Sequence, residues 1–104
     1  MANNYKNSKV DLTTTNATVL YTAPAATTAI IKSILVSEDS GNADTLTVTL
    51  TAGTAVTSLF KVKAVAANAT VEFLTQPLVV MESEILKVTA ATANRLHVTA
   101  SYLE

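Results

Sequence analysis

The sequence has no cysteine and no tryptophan, and only two glycines, two prolines and one histidine among its 104 residues. A chain without cysteine has no disulfide, no thiolate zinc site and no thiol nucleophile. Two glycines are also too few to build a glycine-rich loop around a phosphate. Disulfide scaffolds, thiol redox enzymes and P-loop nucleotide binding are therefore excluded.

Charged residues are also scarce, at 14% of the chain with a net charge of -1. The seven cations are scattered along the sequence, so they form no basic field for phosphates, and we expect no nucleic-acid partner. No apolar run approaches the roughly 18 residues of a membrane-spanning helix. The polar start MANNYKNSKVD lacks the apolar region of a signal peptide. We therefore expect that the chain does not associate with a membrane. We also expect that it is made in a cytoplasm.

Three small residue types dominate what is present. Threonine occurs 18 times, alanine 17 times and valine 12 times, which together make 47 of the 104 positions. Threonine and valine are β-branched and favour the half-buried surface of a sheet, whereas alanine fits either helix or strand. The composition is typical of a β protein with small residues in its core.

Alternating apolar and polar residues indicate the clearest strands. In DTLTVTLT at 44–51, aliphatic residues alternate with threonines, and RLHVTASYL at 95–103 alternates in the same way. A period of two is that of a strand with one buried face and one exposed face. Shorter β-branched runs of strand length occur at 17–22, 59–65, 69–74 and 84–90.

The segment TAIIKSILVS at 28–37 differs because large apolar residues occupy both of its faces. Strict alternation places Ile30 and Ile34 on one face. Ile31 and Leu35 then lie on the other face. A strand of this kind is central in its sheet or is covered by a partner.

The spacing of turn signals indicates the architecture. Turns separate the runs at close to the 8–12 residues typical of sandwiches and barrels, and no stretch combines helical periodicity with caps. We therefore predict an all-β fold, a single antiparallel β-sandwich of about eight strands, of jelly-roll or immunoglobulin-like type. Residues 11–104 form this domain, and residues 1–10, rich in Asn and Lys, form an N-terminal arm.

His97 is the only histidine and the first candidate for acid–base chemistry. It lies on the polar face of a predicted strand, beside threonines and with no carboxylate next to it in the sequence. General base catalysis usually needs such an orienting carboxylate. We therefore interpret His97 as a surface or interface residue, and we expect no enzyme activity and no cofactor.

The loop from Glu38 to Asp44 is the only acidic cluster. Its oxygens are of the kind that calcium prefers, but the loop lacks the glycine position and the terminal glutamate of an EF-hand. We interpret it as a solvated hairpin turn and expect no metal. A calcium- or carbohydrate-dependent binding module that uses this loop is an alternative.

Several segments of the chain occur in an order that is more distinctive than any one of them alone. The chain contains VLYTAPAATTAIIKSILVSEDSG, then a Thr/Val strand, then VAANATVEFLTQPLVVMESEILKVTAATANRLHVTASYLE. From about residue 17 to the end, this order resembles small virion structural proteins of tailed bacteriophages. One departure is Met81-Glu82-Ser83-Glu84, where the similar proteins often carry glycine or asparagine.

The resemblance implies a structural role in a phage particle. The leading hypothesis is a capsid decoration or cement protein that stabilises the head lattice by non-covalent packing, with the chain itself and the major capsid protein as partners. A structural or receptor-facing protein of the tail, neck or fibre is the alternative. The expected location is the virion, after synthesis in the cytoplasm of the bacterial host. The candidate interface residues, apolar or mixed and opposite a plausible core, are Leu20, Ile30, Ile34 and His97.

Overall fold

Nine strands form two antiparallel sheets that pack face to face, in a computed structural model that describes residues 4–104. The predicted all-β architecture with two antiparallel sheets is confirmed, with nine strands where about eight were expected. The strands are β1 (Tyr5–Asp11), β2 (Thr18–Thr22), β3 (Ala29–Glu38), β4 (Asp44–Ala52), β5 (Ala55–Val65), β6 (Thr70–Glu72), β7 (Leu78–Val80), β8 (Ile85–Ala90) and β9 (Leu96–Leu103).

Each sheet mixes strands from both ends of the chain. Sheet A has the order β1-β9-β3-β6, and β7 pairs with β3 beside β6. Sheet B has the order β2-β8-β4-β5. Within residues 4–104 no helix is long and apolar enough to cross a membrane.

The two strands with the clearest alternation are confirmed. On β4, Leu46 and Val48 are buried while Thr47 between them faces outward. On β9, Val98 and Ala100 are buried between outward-facing polar residues. The small-residue core is also observed, because Ala29, Ala90 and Ala100 are all buried beside larger aliphatic side chains.

Strand β3 corrects the predicted assignment of faces. Its pairing with β9 shifts register between Ile31 and Ser33, so Lys32 is the extra residue of a β-bulge. A bulge moves every later side chain to the opposite face. Ile31 and Ile34 consequently both point into the core, whereas Ile30 and Leu35 face outward.

Glu72 fills a gap on the other side of β3. Strands β6 and β7 pair with the two ends of β3 and leave its middle without a ladder partner. The Glu72 carboxylate accepts hydrogen bonds there from the Ile34 N–H at 2.8 Å, from the Leu74 N–H at 3.1 Å and from the Ser33 hydroxyl. The side chain thus replaces the missing backbone acceptors.

The predicted arm at 1–10 has two parts in the structure. Residues 1–3 lie outside the described residues, and residues 5–10 belong to β1, which pairs along its whole length with β9. The Ser8 hydroxyl donates to the Leu20 carbonyl across the gap between the sheets at 2.5 Å. This part of the chain is therefore an edge strand of sheet A that is fastened to sheet B.

Candidate functional site

The four predicted interface residues divide into two pairs. Leu20 and Ile34 are buried in the core, so in this fold they have no surface with which to contact a neighbour. The bulge of β3 accounts for Ile34, and a register shift between Val19 and Tyr21 on β2 accounts for Leu20. Ile30 and His97 lie on the outer face of sheet A, and their interface role stays a prediction.

The outer face of sheet A consists of rows of side chains that run across the strands. In an antiparallel pair, residues directly opposite each other point to the same face. Val79 is opposite Ile30, Ile30 is opposite Leu103, and Leu103 is opposite Tyr5. Four strands therefore contribute one continuous apolar row, and Ile30 lies inside it.

The next rows of this face are polar or mixed. Ser33, Ser101 and Asn7 form a second row, beside an open groove of about 270 Å³ that Lys32 also lines. The third row runs from an acid on one edge to a base on the other: Glu72, Leu35, Thr99 and Lys9. The fourth row contains Thr70, Ser37, His97 and Asp11.

His97 lies between two carboxylates at the polar end of this face. Its Nδ1 is 2.5 Å from Asp11 Oδ1 on β1, and its Nε2 is 3.0 Å from Asp39 Oδ1 in the loop after β3. Both carboxylates only accept hydrogen bonds, and a neutral imidazole carries one N–H. Both contacts therefore require the doubly protonated ring. Sequence reasoning missed these partners because they lie 86 and 58 residues away.

The surroundings of His97 favour its charged form. The hydrogen bond to Asp11 raises the pKa of His97, partial burial opposes that rise, and Asp39 adds to it, so the pKa lies above its ordinary value. Because the pKa of His97 is higher in the folded than in the unfolded chain, these contacts stabilise the fold fully at a pH below the pKa of the unfolded chain. The stabilisation is lost as the pH rises through the pKa of the folded chain. Because all three side chains are well exposed, we expect ~1 kcal/mol or less.

We predict that the single histidine signal in an NMR titration has a pKa above the ordinary 6.5. Asp11→Asn should lower this pKa more than Asp39→Asn does, since the Asp11 hydrogen bond contributes most. The stability difference between the wild type and His97→Asn should shrink as pH rises through the measured pKa. A midpoint at or below the ordinary value would contradict the doubly bonded imidazolium.

The acidic loop is built around Glu38, which is buried. Its carboxylate accepts hydrogen bonds from the N–H groups of Ser40 at 2.9 Å, Gly41 at 3.0 Å and Asn68 at 3.1 Å, and from the Ser40 hydroxyl. Desolvation raises the pKa of Glu38, but these hydrogen bonds outweigh it and lower the pKa to about 2. Glu38 therefore holds the β3–β4 and β5–β6 loops together.

The other acids of this loop are also engaged within the fold. Asp44 Oδ2 accepts the Thr92 N–H at 3.0 Å, and Asp39 contacts His97. Among residues 4–104, no group of three or more His, Cys, Asp or Glu side chains is arranged to hold a metal ion. The loop geometry thus gives the calcium-module alternative no support.

The outer face of sheet B carries the threonines of β4. Thr47 lies opposite Thr89 of β8, whereas Thr49 lies opposite Lys87. The array of threonine hydroxyls on β4 is therefore interrupted by a lysine on the neighbouring strand. The Thr47 hydroxyl oxygen accepts the Val62 N–H at 3.0 Å, where β5 has a bulge and Val62 adopts a φ of 51°. The Thr47 hydroxyl therefore supports the bulge of β5.

Glu104 bonds to one edge strand of each sheet, β1 of sheet A and β2 of sheet B. Glu104 Oε1 lies 2.7 Å from Lys6 Nζ on β1, and its Oε2 accepts the Tyr21 hydroxyl of β2 at 2.5 Å. The hydrogen bonds from Lys6 and Tyr21 lower the pKa of Glu104. The Tyr21 ring packs on Tyr102 with a centroid distance of 4.3 Å. This cluster joins the sheets at the end of the sandwich near the apolar row.

Comparison with protein-family models, curated proteins and solved structures found no match to this chain.

Proposed function

We propose that this chain is a structural protein of a bacteriophage virion, and specifically a capsid decoration or cement protein that binds the assembled head non-covalently. The segments that resemble phage virion proteins coincide with elements of the sandwich: YTAPA ends β2, IIKSI lies in β3 and LKVTA in β8. The resemblance thus covers strands of both sheets, together with the turns that join them.

The order of strand pairing is the observation that supports this proposal most. If β6 and β7 count as one interrupted strand, the pairs run from the ends of the chain inwards: β1 with β9, β2 with β8, β3 with the interrupted strand, and β4 with β5. The chain thus pairs with itself as one long antiparallel hairpin. A hairpin of this kind rolled into two sheets is a jelly roll. We infer this topology in preference to the immunoglobulin-like one. Jelly rolls are common in viral capsid proteins, although lectins and cupins share them.

Binding to a lattice supplies the mechanism. A protein that binds the assembled shell better than its separate subunits shifts the equilibrium towards the shell by mass action. Many weak contacts, repeated around one particle, add up through multivalency without any single strong site. The low charge and extended β faces of this chain fit such a role, and the partners are further copies of itself and the major capsid protein.

The test uses particles of a phage that encodes this chain. Heads that lack the protein should release their DNA at a lower temperature than wild-type heads, and purified protein added back should restore the wild-type temperature. DNA release at the same temperature with and without the protein would overturn the decoration role.

A further inference from the structure

We infer that the outer face of sheet A is a self-association surface, which packs against the same face of a second copy about a twofold axis parallel to the strands. This inference rests on the proposed function, in which further copies of this chain are among the partners. It adds the face, the symmetry and the residues that meet.

The apolar row on this face is the first reason. Tyr5 is 72% exposed and Val79 is 51% exposed, at opposite ends of the row. Ile30 and Leu103 are partly exposed between them, and Leu35 is exposed in the third row. Apolar side chains that adjoin one another across four strands gain more from being covered than the same side chains scattered singly.

The symmetry of the rows is the second reason. When two copies of a sheet face each other about a twofold axis parallel to the strands, each row meets the same row in reversed strand order. The apolar row then covers itself, with Tyr5 against Val79 of the second copy and Ile30 against its Leu103. An axis perpendicular to the strands would instead place the apolar row over the polar row, with Tyr5 against Asp11.

Charge complementarity is the third reason, and it selects a second copy of this chain as the occupant. The third row has Lys9 at one edge and Glu72, whose carboxylate also accepts the Ile34 N–H, at the other, so reversal places each opposite its counterpart. Among residues 4–104, the hydrogen bond of the Lys9 ammonium is a long one, 3.5 Å to Asn7 Oδ1. In the fourth row Asp11 meets neutral Thr70, and neutral Ser101 lies opposite the Lys32 bulge. No carboxylate faces a carboxylate in this arrangement.

The size of the face sets the strength of the contact. Four strands about 4.8 Å apart and about seven residues long cover roughly 400 Å² in outline per copy. Stable pairs bury about 800 Å² per partner, so this pair is weak and forms where copies are concentrated, as on a particle surface. In solution it should be measurable at protein concentrations near ~1 mM.

Crosslinking tests the predicted neighbours, and the absence of cysteine gives a clean background. Facing sheets lie about 10 Å apart, too far for a disulfide but within reach of a short bismaleimide. A mixture of Tyr5→Cys and Val79→Cys proteins should give a mixed dimer, whereas each variant alone should give little product. Val19→Cys, on sheet B with 48% exposure against 51% for Val79, is the matched control and should not crosslink to Tyr5→Cys.

The inference is overturned if Tyr5→Cys crosslinks to Val79→Cys no better than to Val19→Cys. Preferential crosslinking of Tyr5→Cys to Asp11→Cys would overturn it as well, because that product requires the perpendicular axis.

Sedimentation equilibrium supplies a second measurement without cysteines. Lys9→Glu places a carboxylate opposite Glu72 of the second copy and should weaken self-association by at least about tenfold. Lys61→Glu is the control: it makes the same charge change at an exposed position of β5 and should leave self-association unchanged. Equal effects of the two variants would overturn the charge pairing. Heat protection of heads without self-association would overturn this inference alone, whereas self-association without heat protection would overturn the decoration role alone.

Discussion

Ile34→Ala is expected to lower the free energy of unfolding by about 2–5 kcal/mol, although the sequence made Ile34 a candidate for contact with a neighbour. The side chain is fully buried in the core, on the far side of the β3 bulge. Its truncation removes apolar contact and leaves a cavity that the two sheets close only in part. Urea denaturation at micromolar protein concentration measures the change in the isolated chain.

Ile30→Ala is the matched control for this experiment. The same atoms are removed from the same strand, but Ile30 faces outward and is partly exposed, so the loss should be about 1 kcal/mol or less. Equal losses for the two variants would contradict the change of face at Lys32.

Glu38→Gln is expected to lower the Tm at neutral pH by about 5–10 °C. The carboxylate accepts hydrogen bonds from three backbone N–H groups and one hydroxyl. A glutamine offers one carbonyl oxygen to these donors and turns its own N–H₂ group towards the rest. At least one of these partly buried donors then lacks an acceptor, which costs free energy of folding. Asp39→Asn makes the same charge change in the same loop and should have a much smaller effect.

The acid stability of the wild type should depend on Glu38. Its pKa of about 2 in the fold lies below the ordinary value of 4.5, so its contribution is present above pH 4.5 and is lost as the pH falls towards 2. Glu38→Gln should lack this part of the acid slope. Identical pH profiles for the two proteins between pH 4.5 and 2 would show that the carboxylate is not bonded as described.

Sequence periodicity correctly predicted the buried faces of strands in which apolar and polar residues alternate without a bulge. On β4 and β9 strict alternation meets no irregularity, and the buried faces follow directly. On β3 the same rule was wrong beyond Lys32, because a bulge is fixed by pairing with another strand and leaves no periodic signal. The strand at 5–11 was missed for a related reason, since its polar composition hides the inward-facing Ser8 and Val10.

The candidate surface was less predictable than the fold. Ile30 and His97 were proposed from the sequence, but the residues beside them come from other strands and become neighbours only through the register. Glu38 and Glu72 bond to backbone groups 30 and 38 residues away, so no local sequence pattern indicates that they stabilise loops and a bulge. Such contacts depend on the completed sandwich.

The number and position of its copies in a purified particle decide whether this chain is a structural protein of the virion. A cryo-electron microscopy map of the phage, combined with quantitative mass spectrometry, should show this chain on the outside of the head, in a fixed ratio to the major capsid protein. A few copies confined to the tail, neck or fibres would support the alternative virion role. Absence of the chain from purified particles would contradict the structural role itself.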